Sequence, residues 1–223
     1  MITIQKLKKL IIKKPKDQQD LVILAYKFAK KVHNGQSLKD TPFIIHPLFV
    51  GYLLAKWKQG YEMICAGILH DTIEDAEVSI YTIIRIFGEK VAFFVDGMSW
   101  FKTWDVEKQN FSKDRRGYFQ KFSNLCLINE RLILIKAADE MSKTRQDPKK
   151  TKFSEPQSEK LAKIFWISFF REVGLSKVSD FLESKVVNKS QREKVILYDF
   201  FSKRELKELK LKISKIEGVD ELR

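Results

Sequence analysis

The apolar run Met63 to Leu69 leads straight into His70-Asp71, and two more carboxylates, Glu74 and Asp75, follow within about one helical turn. A run of that kind belongs in a protein interior. Ionisable groups at its end then need a partner, because burying unpaired charge is costly. One reading is an acidic turn at a helix boundary with a satisfied core histidine. The other is a divalent cation: adjacent His and Asp offer an imidazole nitrogen and a hard carboxylate oxygen to one ion.

The rest of the chain favours helices around that point. Only 9 Gly and 5 Pro occur in 223 residues, which disfavours a turn-rich β fold and long flexible linkers. Hydrophobic residues make up 44%, enough for a sizeable core. No apolar run approaches the roughly 20 residues of a membrane span, and the first residues lack the apolar core of a signal peptide. Cys65 and Cys126 both lie in apolar helical patterns and read as buried thiols, as expected of a reducing cytoplasm. The net charge of +13 fits an anionic partner, and equally a lysine-rich solvated surface, because the lysines are dispersed. No nucleic-acid recognition motif accompanies them, so no specific nucleic acid is expected.

Periodicity predicts helices over 20–33, 47–59, 61–72, 79–87, 89–95, 114–125, 129–145, 159–173 and 177–186, with one or two more between 190 and 218. Asp17 is read as the cap of the first of these, residues 1–16 as a basic leader, and 36–43, 99–113 and 146–158 as loops. The loop at 99–113 carries Trp100, Phe101 and Trp104 and is expected to lie at or over a pocket. The fold class is all-α, about ten helices in a single domain over 1–223, with a core near 20–185. The oligomeric state is left open.

The chain has three histidines, His33, His46 and His70. His33, at a helix end, reads as a packed, hydrogen-bonded residue. His46 opens a helix in Ile44-Ile45-His46-Pro47, and Asp139 ends the apolar stretch Ile133 to Ala138. Three helices thus each bring an ionisable group out of an apolar background. Two imidazoles and two carboxylates suit Mn²⁺ or Fe²⁺ and leave positions open for water and substrate.

This ordered set resembles the HD phosphohydrolase superfamily. Ala29-Lys-Lys-Val-His33-Asn-Gly-Gln36, Thr41-Pro-Phe-Ile-Ile-His46-Pro47, Ala66-Gly-Ile-Leu-His70-Asp71-Thr-Ile-Glu74-Asp75 and Lys136-Ala-Ala-Asp139 are together similar to the alarmone hydrolase domain of RelA/SpoT homologues. The resemblance implies an HD-type helical bundle with the metal at its centre. It implies Mn²⁺ on His46, His70, Asp71 and Asp139, with Glu74 and Asp75 acting on the attacking water. The implied reaction removes the 3′-pyrophosphate of guanosine tetra- or pentaphosphate. Lys39, Lys136 and Lys143 are the candidates for holding substrate, Lys39 being equally well read as surface charge. With no room for a synthetase domain, the chain looks like a small stand-alone hydrolase. The nucleotide-contacting positions depart from the pattern: Leu38 stands for an Arg and Lys143 for an Asn. A drifted nucleotide substrate, or a metal-holding sensor without turnover, is therefore the alternative.

Overall fold

The computed structural model describes residues 2–38, 41–105, 110–146, 157–185 and 200–222. Helices dominate: α1 (Ile4–Ile11), α2 (Lys16–Val32), α3 (Ile45–Lys56), α4 (Tyr61–Leu69), α5 (Thr72–Ala76), α6 (Ile80–Phe87), α7 (Glu89–Met98), α8 (Arg115–Ile128), α9 (Leu132–Gln146), α10 (Gln157–Glu172), α11 (Ser176–Glu183) and α12 (Lys203–Ile213), with a short 3-10 turn at Val219–Leu222. The all-α class holds. Two antiparallel hairpins interrupt it: β1 (Ser37–Leu38) with β2 (Thr41–Pro42), and β3 (Phe101–Asp105) with β4 (Asn110–Asp114), where Phe101 faces Asp114 and Asp105 faces Asn110. Two regions expected to be loops are thus partly paired.

Local chemistry sets the helix ends. The Ser79 and Asp114 side chains accept from backbone N–H groups at the starts of α6 and α8, and Ser202 with Glu205 forms a reciprocal capping box on α12. Asp17 does not cap α2, which begins at Lys16 with Pro15 in the N-cap position; Asp17 lies inside the first turn. The leader is helical too. Leu7 and Ile11, four residues apart, are fully buried and hold α1 on the core.

The centre is the antiparallel pair α3 and α4, with α2, α7 and α9 packed around it. Glycines allow α3 and α4 to come close. A Cβ on Gly67 would lie 2.5 Å from Leu54 Cδ1, and one on Gly51 would lie 2.5 Å from Ile68 Cγ1. An aromatic part of the same core joins α8 and α10 to Phe201, just before α12, through Phe119, Phe122, Phe165, Trp166 and Phe169. The far end of the chain folds back on the α3–α4 connection. Gln59 Nε2 donates to the carbonyls of Trp57 (2.7 Å) and Glu217 (2.9 Å), and its Oε1 accepts from Arg131 (3.3 Å). Gly218 adopts φ +81° there, and a Cβ would run into the Trp57 carbonyl. Among the described residues no helix is long and apolar enough to cross a membrane.

Candidate metal centre

Where α4 meets α5 the helical ladder is interrupted by side chains. His70 Nδ1 lies 2.9 Å from the Gly67 carbonyl, and Thr72 Oγ1 donates to the Leu69 carbonyl at 2.7 Å. Each takes an acceptor that would otherwise serve the backbone, so α4 ends at Leu69 and the chain turns into α5. The carbonyl leaves His70 Nδ1 no choice but to carry the proton. Its Nε2 is then a lone pair aimed into the bundle.

His46, in the first turn of α3, is set the same way from another direction. Its Nδ1 is 2.8 Å from Ser142 Oγ on α9, and Ser142 in turn points toward the His46 carbonyl at 3.5 Å. With Ser142 donating to that carbonyl, His46 Nδ1 is the donor to the hydroxyl. The two Nε2 atoms face each other at 3.2 Å. Asp139 Oδ1 stands 3.2 Å from His46 Nε2 and 3.5 Å from His70 Nε2, and Asp71 reaches His70 at 3.1 Å and His46 at 3.5 Å.

Lone pairs on two buried imidazoles and two carboxylates thus converge on one point. Among the described residues Asp139 Oδ1 is buried with no hydrogen-bond donor. Electrostatics agree. Burial opposes charge on His70, yet Asp71 and Asp139 raise its pKa. Burial likewise opposes charge on Asp71, yet His70 and His46 lower it. The site draws positive charge, and His46, His70 and Asp139 offer ligand atoms close enough together for one ion, with Asp71 beside them.

Asp139 Oδ2, by contrast, is fully engaged: Lys143 Nζ lies at 2.7 Å and Lys136 Nζ at 3.0 Å. Burial would raise the Asp139 carboxyl, but Lys143, Lys136 and the facing imidazoles hold it well below the usual carboxylate range. Oδ1 alone remains for an ion. Lys136 has different company from the phosphate expected of it. It is 2% exposed, bound to Asp139 and to Glu140 (2.7 Å), and lies 4.7 Å from the Trp166 ring centre. Desolvation pulls the Lys143 ammonium down, but Asp139 pushes it up to about 12, and its side chain is 50% exposed. Lys39 lies outside the described residues. Glu74 is half-buried and Asp75 exposed, both on α5 directly after His70-Asp71. Ser142 and Glu140 are supporting residues that the sequence reading passed over. The available signal was Ser142 three residues after Asp139 and Glu140 four after Lys136 on a single helix.

Fold and site together define a helical domain built around a position for one divalent cation. The chain belongs to the HD domain family, whose model matches residues 25–165, and a divalent metal is what such a domain implies. It is 35% identical over 142 residues to a guanosine-3′,5′-bis(diphosphate) 3′-pyrophosphohydrolase of Aquifex aeolicus, covering 62% of this chain and 19% of that protein. It is 33% identical over 129 residues to the bifunctional (p)ppGpp synthase/hydrolase SpoT of Escherichia coli, covering 56% of this chain and 18% of that one. The chain thus spans about a fifth of the length of the curated relatives it matches. A solved structure of a metazoan ortholog of SpoT is similar at 19% identity and a TM-score of 0.47, over 83% of this chain and 96% of that one.

Proposed function

We propose that the protein is a manganese-dependent pyrophosphohydrolase that removes the 3′-pyrophosphate of guanosine-3′,5′-bis(diphosphate). The observation that carries this is the convergence of His46 Nε2, His70 Nε2, Asp71 and Asp139 Oδ1 in an HD domain, taken with the activity named for the curated relatives. A mixed nitrogen and oxygen set of this kind favours Mn²⁺ or Fe²⁺. When bound, such an ion lowers the pKa of a coordinated water and polarises a phosphoryl oxygen.

The chain's own residues supply the rest. Glu74 and Asp75 take the proton from the attacking water. The water oxygen joins phosphorus, the bond from that phosphorus to the ribose 3′ oxygen breaks, and the carboxylates return the proton taken from the water to the 3′ oxygen, which leaves as a hydroxyl. Lys143 meets substrate phosphate, with Lys39 as a second cation. Lys136 stays beneath Asp139 and steadies its unused oxygen. The unpaired, buried Cys65 and Cys126 support a cytoplasmic setting. Leu7 and Ile11 at one end and Leu206 and Leu209 at the other join one core, which supports a single domain over 1–223.

The test is turnover of the purified, Mn²⁺-loaded protein with guanosine-3′,5′-bis(diphosphate), followed by pyrophosphate release. Hydrolysis in the wild type, lost with bound metal in His70→Ala and Asp139→Ala, is expected. No release under those conditions would overturn the reading. A second reading, hydrolysis of another phosphorylated nucleotide, is favoured by Lys143, a half-exposed cation bound to Asp139. Rates on the adenosine counterpart separate the two.

A further inference from the structure

We propose that Gln36, held in place by His33, is the positioning residue that fixes α5 and its carboxylates beside the metal centre. The inference rests on the catalytic role given above to Glu74 and Asp75.

A helix of five residues has too few internal hydrogen bonds to hold itself in water. Inside the segment, the Asp75 N–H donates to the Asp71 carbonyl at 2.8 Å, and the Val78 N–H donates to that of Thr72 at 3.1 Å. Those bonds shape the turn but do not place it against the rest of the protein. Thr72 is buried and Ile73 and Val78 pack on the core, and Gln36 adds a directional tether from 39 residues away, its Nε2 donating to the Asp75 carbonyl at 2.9 Å. The Asp75 peptide is therefore bracketed. Its N–H answers to a metal ligand, Asp71, and its carbonyl to Gln36.

The orientation of Gln36 is not arbitrary. A carbonyl only accepts, so the amide nitrogen must face Asp75, and Oε1 must face His33 Nδ1, 2.8 Å away. His33 Nδ1 must then carry the proton. That leaves His33 Nε2 as a lone pair, buried and without a partner among the described residues. The ring stacks on Phe43 with 4.4 Å between centroids. A phenylalanine would keep that stack without burying an unsatisfied nitrogen. What the imidazole adds is its Nδ1–H, and that hydrogen holds Gln36. Backbone bonds fix Gln36 as well: its N–H donates to the His33 carbonyl (3.0 Å), and its carbonyl accepts from Phe43 (3.1 Å). An exposed glutamine arranged this firmly in advance loses little freedom in holding α5.

The test uses Gln36→Leu, His33→Phe and His33→Asn in the full chain. Asparagine places an amide N–H close to where the imidazole carries its Nδ1–H. Two quantities are read: amide hydrogen exchange over residues 72–78 in metal-free protein, and kcat and KM of the Mn²⁺-loaded enzyme on guanosine-3′,5′-bis(diphosphate). Gln36→Leu and His33→Phe should speed exchange over 72–78 by about tenfold or more while α3 and α4 stay protected. Their kcat should fall by about 10- to 100-fold with KM nearly unchanged. His33→Asn should recover most of both. Unchanged exchange over 72–78 in Gln36→Leu, exchange that rises equally in α3 and α4, or a His33→Asn protein no better than His33→Phe would overturn the proposal. If the wild type turns over no substrate, the catalytic reading fails, and the exchange data still decide whether Gln36 tethers α5.

Discussion

Two lysines sit on one oxygen of Asp139, and their surroundings give them different weights. Lys136 is buried among Asp139, Glu140 and the Trp166 ring. Lys136→Met would remove the buried cation shared by Asp139 and Glu140, leaving both to the half-exposed Lys143. Breaking a buried pair from one side costs about 3–5 kcal/mol, so the midpoint of urea unfolding should drop sharply. Lys143 makes the shorter contact, 2.7 Å, but is half-exposed. Water screens the lysine end of the pair, but Asp139 itself is buried. Lys143→Asn should therefore lower the urea midpoint less than Lys136→Met does, and show itself as well in KM or in the choice of nucleotide base. Glu74→Gln keeps size and polarity and removes the basic oxygen. Turnover should fall by roughly 10²–10⁴-fold with metal content unchanged. Metal loss in that variant would mean that Glu74 is a ligand, and its catalytic role would be withdrawn.

At the scale of elements, the site depends on how closely α3 and α4 approach. His46 rides on α3 and His70 ends α4, so the 3.2 Å between their Nε2 atoms follows the separation of the helices. Gly67→Ala would push its new methyl against Leu54 Cδ1 and Val50 Cγ1. Overpacking of this kind costs typically about 1–3 kcal/mol. The variant should lose stability in urea and also bind Mn²⁺ more weakly, because the Gly67 carbonyl orients His70. Intact metal affinity at reduced stability would show that the site tolerates a wider gap.

These helices were legible in the sequence because their apolar spacing is strong, and the His, His-Asp, Asp order pointed to the atoms that meet. The pairing of β3 with β4 was not legible, since Phe101 to Asp105 lacks a clean alternation of apolar and polar residues. Nor was the depth of Lys136. A lysine at the end of an apolar run reads as available charge until its neighbours at i+3 and i+4, Asp139 and Glu140, are seen to close over it. α1 was hidden by its lysines, which mask the Leu7 and Ile11 pair.

For the molecule as a whole, buried weak acids predict the response to alkali. Burial pushes the Cys65 thiol up to about 12, Glu62 adding to it, and pushes the Tyr118 phenol up to about 12 as well; the Cys126 thiol is also raised well above its ordinary value of 9.0 by burial. Each is neutral when folded and ionises more readily when unfolded. Their contribution is complete below the unfolded values of 9.0 and 10.0 and is lost as pH rises toward about 12. Urea midpoints should therefore be level from neutral pH to about 9 and fall beyond it. In the folded protein near neutral pH neither thiol should react with a thiol reagent until denaturant is added. A midpoint that holds level to pH 11 would contradict this account of the core.

The bond from Gln59 to the Glu217 carbonyl spans 158 residues. Gln59 belongs to the connection between the two helices that carry His46 and His70, so that connection is unfinished until residue 217 has been made. At about 5–20 residues per second, a ribosome needs roughly 10–30 s to cover that stretch. During synthesis the two imidazoles are thus presented to cellular metals on a helix pair that has not yet been clasped.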